Sequence, residues 1–256
     1  MIKQHSFPTH PVLCICLLIW QSVSFANCPP AHRDHTATVS LINDGDTLET
    51  TDGARIRFIG VNTPEIGRNG KASEPYAEQA SELLRQLIKQ SGNRIVLQYG
   101  PQRHDHYQRT LAHVFLPDGR NLLRLLLERG LAYRILFMPN DWGQACYKLA
   151  EQSARSKKLG VWSTPPKTSH DLPDKAKGFY LIQGQVKRVG HSKKSIWLNF
   201  DSHFAVRIAR RDLHYFNNFN LKNLKHRQIE VRGWVHHYKG QNILRIRHSS
   251  MIRIMK

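Results

Sequence analysis

Acidic side chains are scarce in this sequence. The 19 Asp and Glu face 38 Lys and Arg, leaving a formal net charge of +19. Such a surplus works against the compact state through self-repulsion and argues for a polyanionic partner. Cysteine is sparse too, with four in 256 residues, which excludes a disulfide-built scaffold. No sequence repeat or low-complexity tract occurs, which excludes stacked-repeat architectures. The one sustained apolar stretch, Pro11 to Ala26, includes Gln21 and falls short of the roughly 20 residues a membrane-crossing helix needs. His32 and His35, His104 and His106, and His236 and His237 stand in pairs. No third or fourth ligand at zinc spacing accompanies them, so they read as surface residues.

What the N-terminus does contain is an export signal in outline. Lys3 supplies the positive start, Val12 to Trp20 the apolar core, and Ser24 and Ala26 the small residues of a cleavage site. Residues 1–26 are therefore expected to be removed after Ala26, in a periplasmic or secreted protein with no stable membrane insertion; an uncleaved anchor is the alternative. Cleavage removes Cys14 and Cys16 and leaves Cys28 and Cys146, enough to pair once. That bridge would close a loop worth roughly 4–5 kcal/mol in the chain-entropy model. Two buried thiols are the other reading.

The chain divides by composition. Residues 27–36 read as a polar tether, and residues 164–177, with Pro165, Pro166 and Pro173, as a linker. Between them Val39–Ile42, Ile95–Tyr99 and Leu111–Leu116 read as strands. Thr47–Thr50 and Arg55–Ile59 form a hairpin across Asp52 and Gly53. In its second arm Ile56 and Phe58 face one way, Arg55 and Arg57 the other. Helical spacing marks Ser73–Gln90 with Ser73 as cap, Asn121–Arg129, and Trp142–Lys158 capped by Asn140 or Asp141. Beyond the linker, Tyr180–Val189, Ser195–Phe200, Phe204–Ala209, Gln228–Tyr238 and Asn242–Ile254 are β-like, with a helical signal only at Arg211–Phe219. Short strands at that density predict a small barrel. The fold class is α+β, mainly β with helices.

Four segments carry the chemistry: Asp44-Gly45-Asp46-Thr47, Arg57, Asn62-Thr63-Pro64-Glu65, and Arg109. Acidic and neutral oxygens hold a hard cation. Arginines neutralise a phosphate, and a carboxylate prepares water. Each segment alone reads as a turn or as surface charge; their combination points to phosphodiester hydrolysis.

From about Ala37 to Trp162 the chain resembles the staphylococcal (micrococcal) nuclease-like domain. The landmarks fall in order: D-G-D-T, an arginine strand, V-N-T-P-E, a helix, a strand, D-x-Y-x-R-x-L-A, G-L-A, P-N, and a helix ending in L-G-V-W. The resemblance implies, for residues 37–163, a five-stranded OB-type barrel with three helices and Ca²⁺-dependent cleavage of DNA and RNA that leaves 3′-phosphate ends. It implies Asp46 as the main metal ligand, Asp44 in or near the second shell, and the Thr63 carbonyl as a further ligand. Asn62 departs from the family, where a second aspartate stands; its amide oxygen can still ligate the metal, but the lost charge should weaken Ca²⁺ binding, and Mg²⁺ or Mn²⁺ stay open. Glu65 corresponds to the carboxylate acting on the attacking water, and Arg57 and Arg109 to the two phosphate-gripping arginines. Asp105, His106 and Tyr107 would help place substrate. Gln108 replaces a glycine. The base-stacking tyrosines that follow the family's second helix have no clean counterparts here, and Tyr133 and Phe137 stand as candidates.

Residues 171–256 hold 18 Lys and Arg against 5 Asp and Glu. Residues 178–256 resemble a second OB-like domain found after the nuclease domain in some exported bacterial relatives. Nucleic acid would meet Lys187, Arg188, Lys193, Lys194, Arg207, Arg232, Arg245 and Arg247, with Trp197, Trp234 and Tyr238 as stacking candidates. Trp197 and Trp234 read first as core residues. Two rival readings stand beside this one: a nucleic-acid-binding protein that has lost the chemistry, and an envelope protein that binds anionic lipid or polysaccharide.

Overall fold

A computed structural model describes residues 28–217 and 219–255. The expected export signal, with Cys14 and Cys16, lies outside the described residues. Alternating apolar residues close the first barrel. Its strands are β1 (His35–Ile42), β2 (Thr47–Thr50), β3 (Arg55–Phe58), β5 (Arg94–His104) and β6 (Thr110–Phe115), joined in the order β1-β2-β3-β6-β5 and back to β1. Leu48, Ile56, Ile95, Leu97 and Val114 are fully buried inside it. Each such side chain contributes about 1.5–3 kcal/mol. A short β4 (Val61–Asn62) leaves the barrel and pairs antiparallel with β7 (Tyr133–Arg134).

Three α-helices cover the barrel: α1 (Ala77–Gln90), α2 (Leu122–Glu128) and α3 (Gln144–Ser156). Asn121 caps α2 by accepting from the N–H groups of Leu123 and Arg124. Neither of the other expected caps is used. Ser73 bonds Glu78 and Gly67 instead, and Tyr76 opens α1 at φ 72. The Asn140 side chain bonds Gln102, and Gly143 opens α3 at φ 76. Cys28 and Cys146 are joined, with Cα atoms 6.1 Å apart across 118 residues of sequence. Residues 28–36 are therefore no free tether: Cys28 is buried, and the Asp34 N–H donates to the Leu97 carbonyl.

The second sheet comprises β8 (Gly178–Gln185), β9 (Arg188–His191), β10 (Ser195–Asn199), β11 (Phe204–Ala209), β12 (Gln228–Tyr238), β13 (Gln241–Ile246) and β14 (Ile252–Ile254). Its order is β14-β12-β13-β11-β10-β9, with β8 also on β12. Only Val186 and Lys187 separate β8 from β9. The first arm pairs with β12 and the second with β10, so the sheet curls back on itself around Ile182, Leu198, Phe204, Val231 and Leu244. Arg210–Phe216 is 3₁₀ rather than α-helical. Residues 164–177 pack on this sheet instead of tethering it. Lys167 bridges to Ile182, Ala176 is buried, and its N–H donates to Asn242 Oδ1.

Ion pairs lock the two units together. Arg232 on β12 donates to Glu151 on α3 at 2.5 Å and to the Arg134 carbonyl at 3.0 Å. Glu230 accepts both terminal nitrogens of Arg155, at 2.8 and 2.5 Å, and one of Arg253 at 2.9 Å. Burial alone would raise the Glu230 carboxyl. The hydrogen bonds and charge of Arg155, then Arg232 and Arg253, outweigh it and hold the group down at about 2.

Candidate active site

The Asp44-Gly45-Asp46 turn joins β1 to β2. Asp44 Oδ1 accepts from the Asp46 N–H at 3.0 Å. The turn lies so close to α1 that a Cβ on Gly45 would come within 2.6 Å of the Ala80 Cβ and 2.7 Å of the Thr63 Cγ2. Glycine is therefore required by space, and it lets the acids on either side approach Thr63. Asp46 Oδ2 accepts from the Thr63 N–H at 2.8 Å and sits 3.2 Å from the Arg57 guanidinium.

Arg57 is buried, against the outward placement its strand alternation predicts. One terminal nitrogen donates to the Phe58 and Val61 carbonyls, the other to Asn62 Oδ1 at 3.2 Å. The Asn62 oxygen is thus engaged by Arg57, and its amide nitrogen donates to the Thr63 carbonyl. Glu65 follows, exposed, and its N–H is held by Glu74, a residue that sequence reading passed over. Among the described residues its carboxyl accepts no hydrogen bond. Lost hydration on its protein side, then Asp46, Asp44 and Glu74, raise that carboxyl above its ordinary value. Asp44 is raised as well, by burial and then by Asp46.

Two crowded carboxylates beside one partly committed arginine fit a hard cation. Among the described residues no group of three or more His, Cys, Asp or Glu is placed to hold a metal. Asp44 and Asp46, with the Thr63 carbonyl, would be the groups to hold one, since the Asn62 oxygen is taken by Arg57. A cation that keeps several waters suits such a set.

The parallel register of β3 and β6 places Ile56 beside Thr110. It brings the loop carrying Arg109 next to the strand carrying Arg57. Asp105 Oδ2 accepts from both Nε and a terminal nitrogen of Arg109, at 2.7 Å each, and Oδ1 accepts from the Tyr107 and Arg109 N–H groups. Asp105 therefore sets the arginine and its loop. Partial burial pushes its carboxyl up, but the bonds to Arg109 win and hold it low. Tyr107 and His106 are exposed beside it.

The family model described as staphylococcal nuclease homologue matches residues 55–164. A thermonuclease of Staphylococcus intermedius is 31% identical over 157 residues, covering 59% of this chain and 92% of that protein. The chain belongs to the staphylococcal nuclease family. The thermonuclease of Staphylococcus hyicus is 32% identical over 135 residues, 51% of this chain and 78% of its own. Endonuclease YncB of Bacillus subtilis (strain 168) is 33% identical over 130 residues, 49% and 61% respectively. The staphylococcal nuclease family is one of hydrolases that depend on a metal ion in general terms.

Within this family frame Gln108 is a strained position. It adopts φ 61, the conformation its glycine counterpart would take freely. The left-handed region costs a side-chain-bearing residue about 1–2 kcal/mol, more than the roughly 0.4–1 kcal/mol that glycine loses through unfolded-state freedom. Gln108→Gly should therefore raise stability by about 0.5–1 kcal/mol, read as a higher denaturant midpoint. A lower midpoint would show that the glutamine side chain holds the loop.

The basic candidates of the second unit separate. Lys187, Arg188, Lys193, Lys194 and Arg247 are exposed; Arg207 and Arg245 are half-buried. Arg232 is corrected: at 5% exposure, between Glu151 and the Arg134 carbonyl, it cannot meet nucleic acid. Trp197 and Trp234 are not core residues. Trp197 is half-buried and Trp234 is 37% exposed. Tyr133 packs between Trp162 and Phe179, while Phe137 is 39% exposed.

Proposed function

We propose that the protein is an exported, Ca²⁺-dependent nuclease that hydrolyses DNA and RNA with little sequence preference. The observation that carries this reading is the free, raised carboxyl of Glu65 beside the Asp44 and Asp46 acids and the Arg57 guanidinium. Arg57 and Arg109 bind the phosphate and stabilise the charge that grows on it. The Glu65 carboxylate accepts a proton from water as the water oxygen bonds to phosphorus and the leaving P–O bond breaks. A bound cation, held by Asp44, Asp46 and the Thr63 carbonyl, supplies Lewis-acid polarisation of the phosphoryl oxygens. The basic second unit holds the rest of the strand.

Digestion of single- and double-stranded DNA and of RNA by residues 27–256, with Ca²⁺, Mg²⁺, Mn²⁺ or EDTA, tests the proposal. Cleavage in Ca²⁺ that EDTA abolishes is expected. Nucleic acid retarded but uncut under every metal would favour the binding-protein reading. Cleavage supported by Mg²⁺ or Mn²⁺ and not by Ca²⁺ would refute the metal assignment.

A further inference from the structure

One row of side chains crosses the outer face of the second sheet. Trp197 on β10 stands opposite Arg207 on β11, and Arg207 opposite Arg245 on β13. The β12–β13 register, Val235 beside Leu244, brings Trp234 beside Arg245 one step further along. Trp234 in turn stands opposite Phe179 on β8. Residues directly opposite in a sheet share a face. The neighbours Ile196, Leu198, Val206, Ile208, Leu244 and Ile246 point the other way and are buried. The row is thus aromatic, arginine, arginine, aromatic, aromatic, on the solvent side.

Its internal contacts leave it open to a ligand. The Arg207 guanidinium lies 5.9 Å from the Trp197 ring, and Trp234 lies 5.1 Å from Phe179. Like charges directly opposite in a sheet repel, yet Arg207 and Arg245 stand so. Among the described residues the acid paired with them is Asp212, 3.4 Å from Arg245; Arg207 Nε donates to Ser195 Oγ at 2.8 Å, and Arg245 Nε is a buried donor with no partner among the described residues. At the far edge Gly190 pairs with Trp197 and adds no side chain of its own there, while the Trp197 Nε1 donates to Ser192 Oγ at 3.4 Å. The near edge meets the first barrel, because Phe137 stacks 5.5 Å from Trp234 with Arg247 5.9 Å above it. Phe137 lies two residues after Ile135, whose N–H donates to the Gly60 carbonyl immediately before β4 and Asn62.

We propose that this row is a track for single-stranded nucleic acid, with bases stacking on Trp197 and Trp234 and phosphates held by Arg207 and Arg245. Four strand spacings of about 4.8 Å make the track about 19 Å long, which suits the short end of the roughly 4–16 nucleotides that one OB unit covers. A strand lying on it passes Trp234 and Phe137 onto the barrel that carries Glu65. Duplex DNA keeps its bases stacked inside and cannot use the aromatic positions. The proposal rests on the nuclease reading for the identity of its ligand.

The test is fluorescence anisotropy of a labelled 12-nucleotide oligothymidylate with the full mature protein in EDTA, so that binding is read without cleavage. Duplex DNA and inorganic polyphosphate serve as competitors. Trp197→Ala and Trp234→Ala should each weaken single-strand binding at least about fivefold with the salt slope unchanged, and Trp234→Phe should restore most of it. Arg207→Ala and Arg245→Ala should weaken binding and lower the salt slope by about one phosphate each. Tryptophan variants that bind the oligonucleotide like the parent overturn the track. So does polyphosphate that displaces the oligonucleotide and loses affinity equally in the tryptophan variants. Because cleavage is assayed separately, a protein that binds through the row and cuts nothing refutes the nuclease reading alone.

Discussion

Glu65→Gln should lose about 10²–10⁴-fold in cleavage rate while holding nucleic acid in EDTA as tightly as the parent. The range is that of a positioned general base, and the substitution keeps the shape of a side chain that bonds nothing in the structure. The pH profile should agree. Only the ionised carboxyl can take a proton, and its value is raised by lost hydration and by Asp46, Asp44 and Glu74. Activity should therefore climb with pH as the carboxyl ionises, and the climb should vanish in the variant. Stability moves the opposite way. A carboxyl raised by folding lowers stability as pH increases through its folded value. Glu65→Gln should thus unfold at a higher temperature than the parent in EDTA, and added Ca²⁺ should narrow the gap. Unchanged turnover in the variant would remove Glu65 from the mechanism.

Arg232→Ala should cost about 3–5 kcal/mol, the loss seen when one partner of a buried pair is removed. It leaves Glu151 buried at 4% exposure with its arginine gone and strips a donor from the Arg134 carbonyl. Arg232→Lys should recover only part, since one ammonium cannot replace a fork that reaches Glu151, Glu230 and a carbonyl together. Acid should act on the same junction through Glu230, held at about 2. Its folded value lies below its unfolded one, so its stabilisation, on the order of 3 kcal/mol, is complete above the ordinary glutamate value. It is lost as pH falls from there to about 2. Chemical denaturation of parent and variants at neutral pH and across that window measures both effects. A parent-like denaturation curve for Arg232→Ala would show that the ion pairs do not hold the units together.

The catalytic half was readable because its signals are local. Asp44, Gly45 and Asp46 are adjacent, and Glu65 follows Asn62 by three residues. The turn dipeptide at Asp52 and Gly53 and the apolar spacing of α1 likewise need only neighbours to be seen. Arg232 was misread for the converse reason. On β12 the sequence I-E-V-R-G-W-V alternates like a strand with one wet face. Glu230 and Arg232 occupy that polar face, and it is covered by α3, which lies far away in sequence. No periodicity records that a helix lies across a strand. Trp197 and Trp234 erred in the other direction: average burial of tryptophan is a property of the residue type, whereas these two lie on the part of that same face that α3 leaves bare. The burial of Arg57 escaped alternation too, since the carbonyls that hold it belong to Phe58, the last residue of its own strand, and to Val61, the first of β4.

The junction at α3 also limits how freely the two units can be recombined. Glu151 and Arg155 belong to the nuclease barrel, but their partners Arg232 and Glu230 belong to the second sheet. A fragment ended at residue 163 would keep every side chain proposed for catalysis. It would also carry a stranded carboxylate and the uncovered rings of Tyr133 and Trp162. Grafting another domain in place of the second sheet requires rewriting α3 as well, so the unit of exchange is the barrel together with the second sheet.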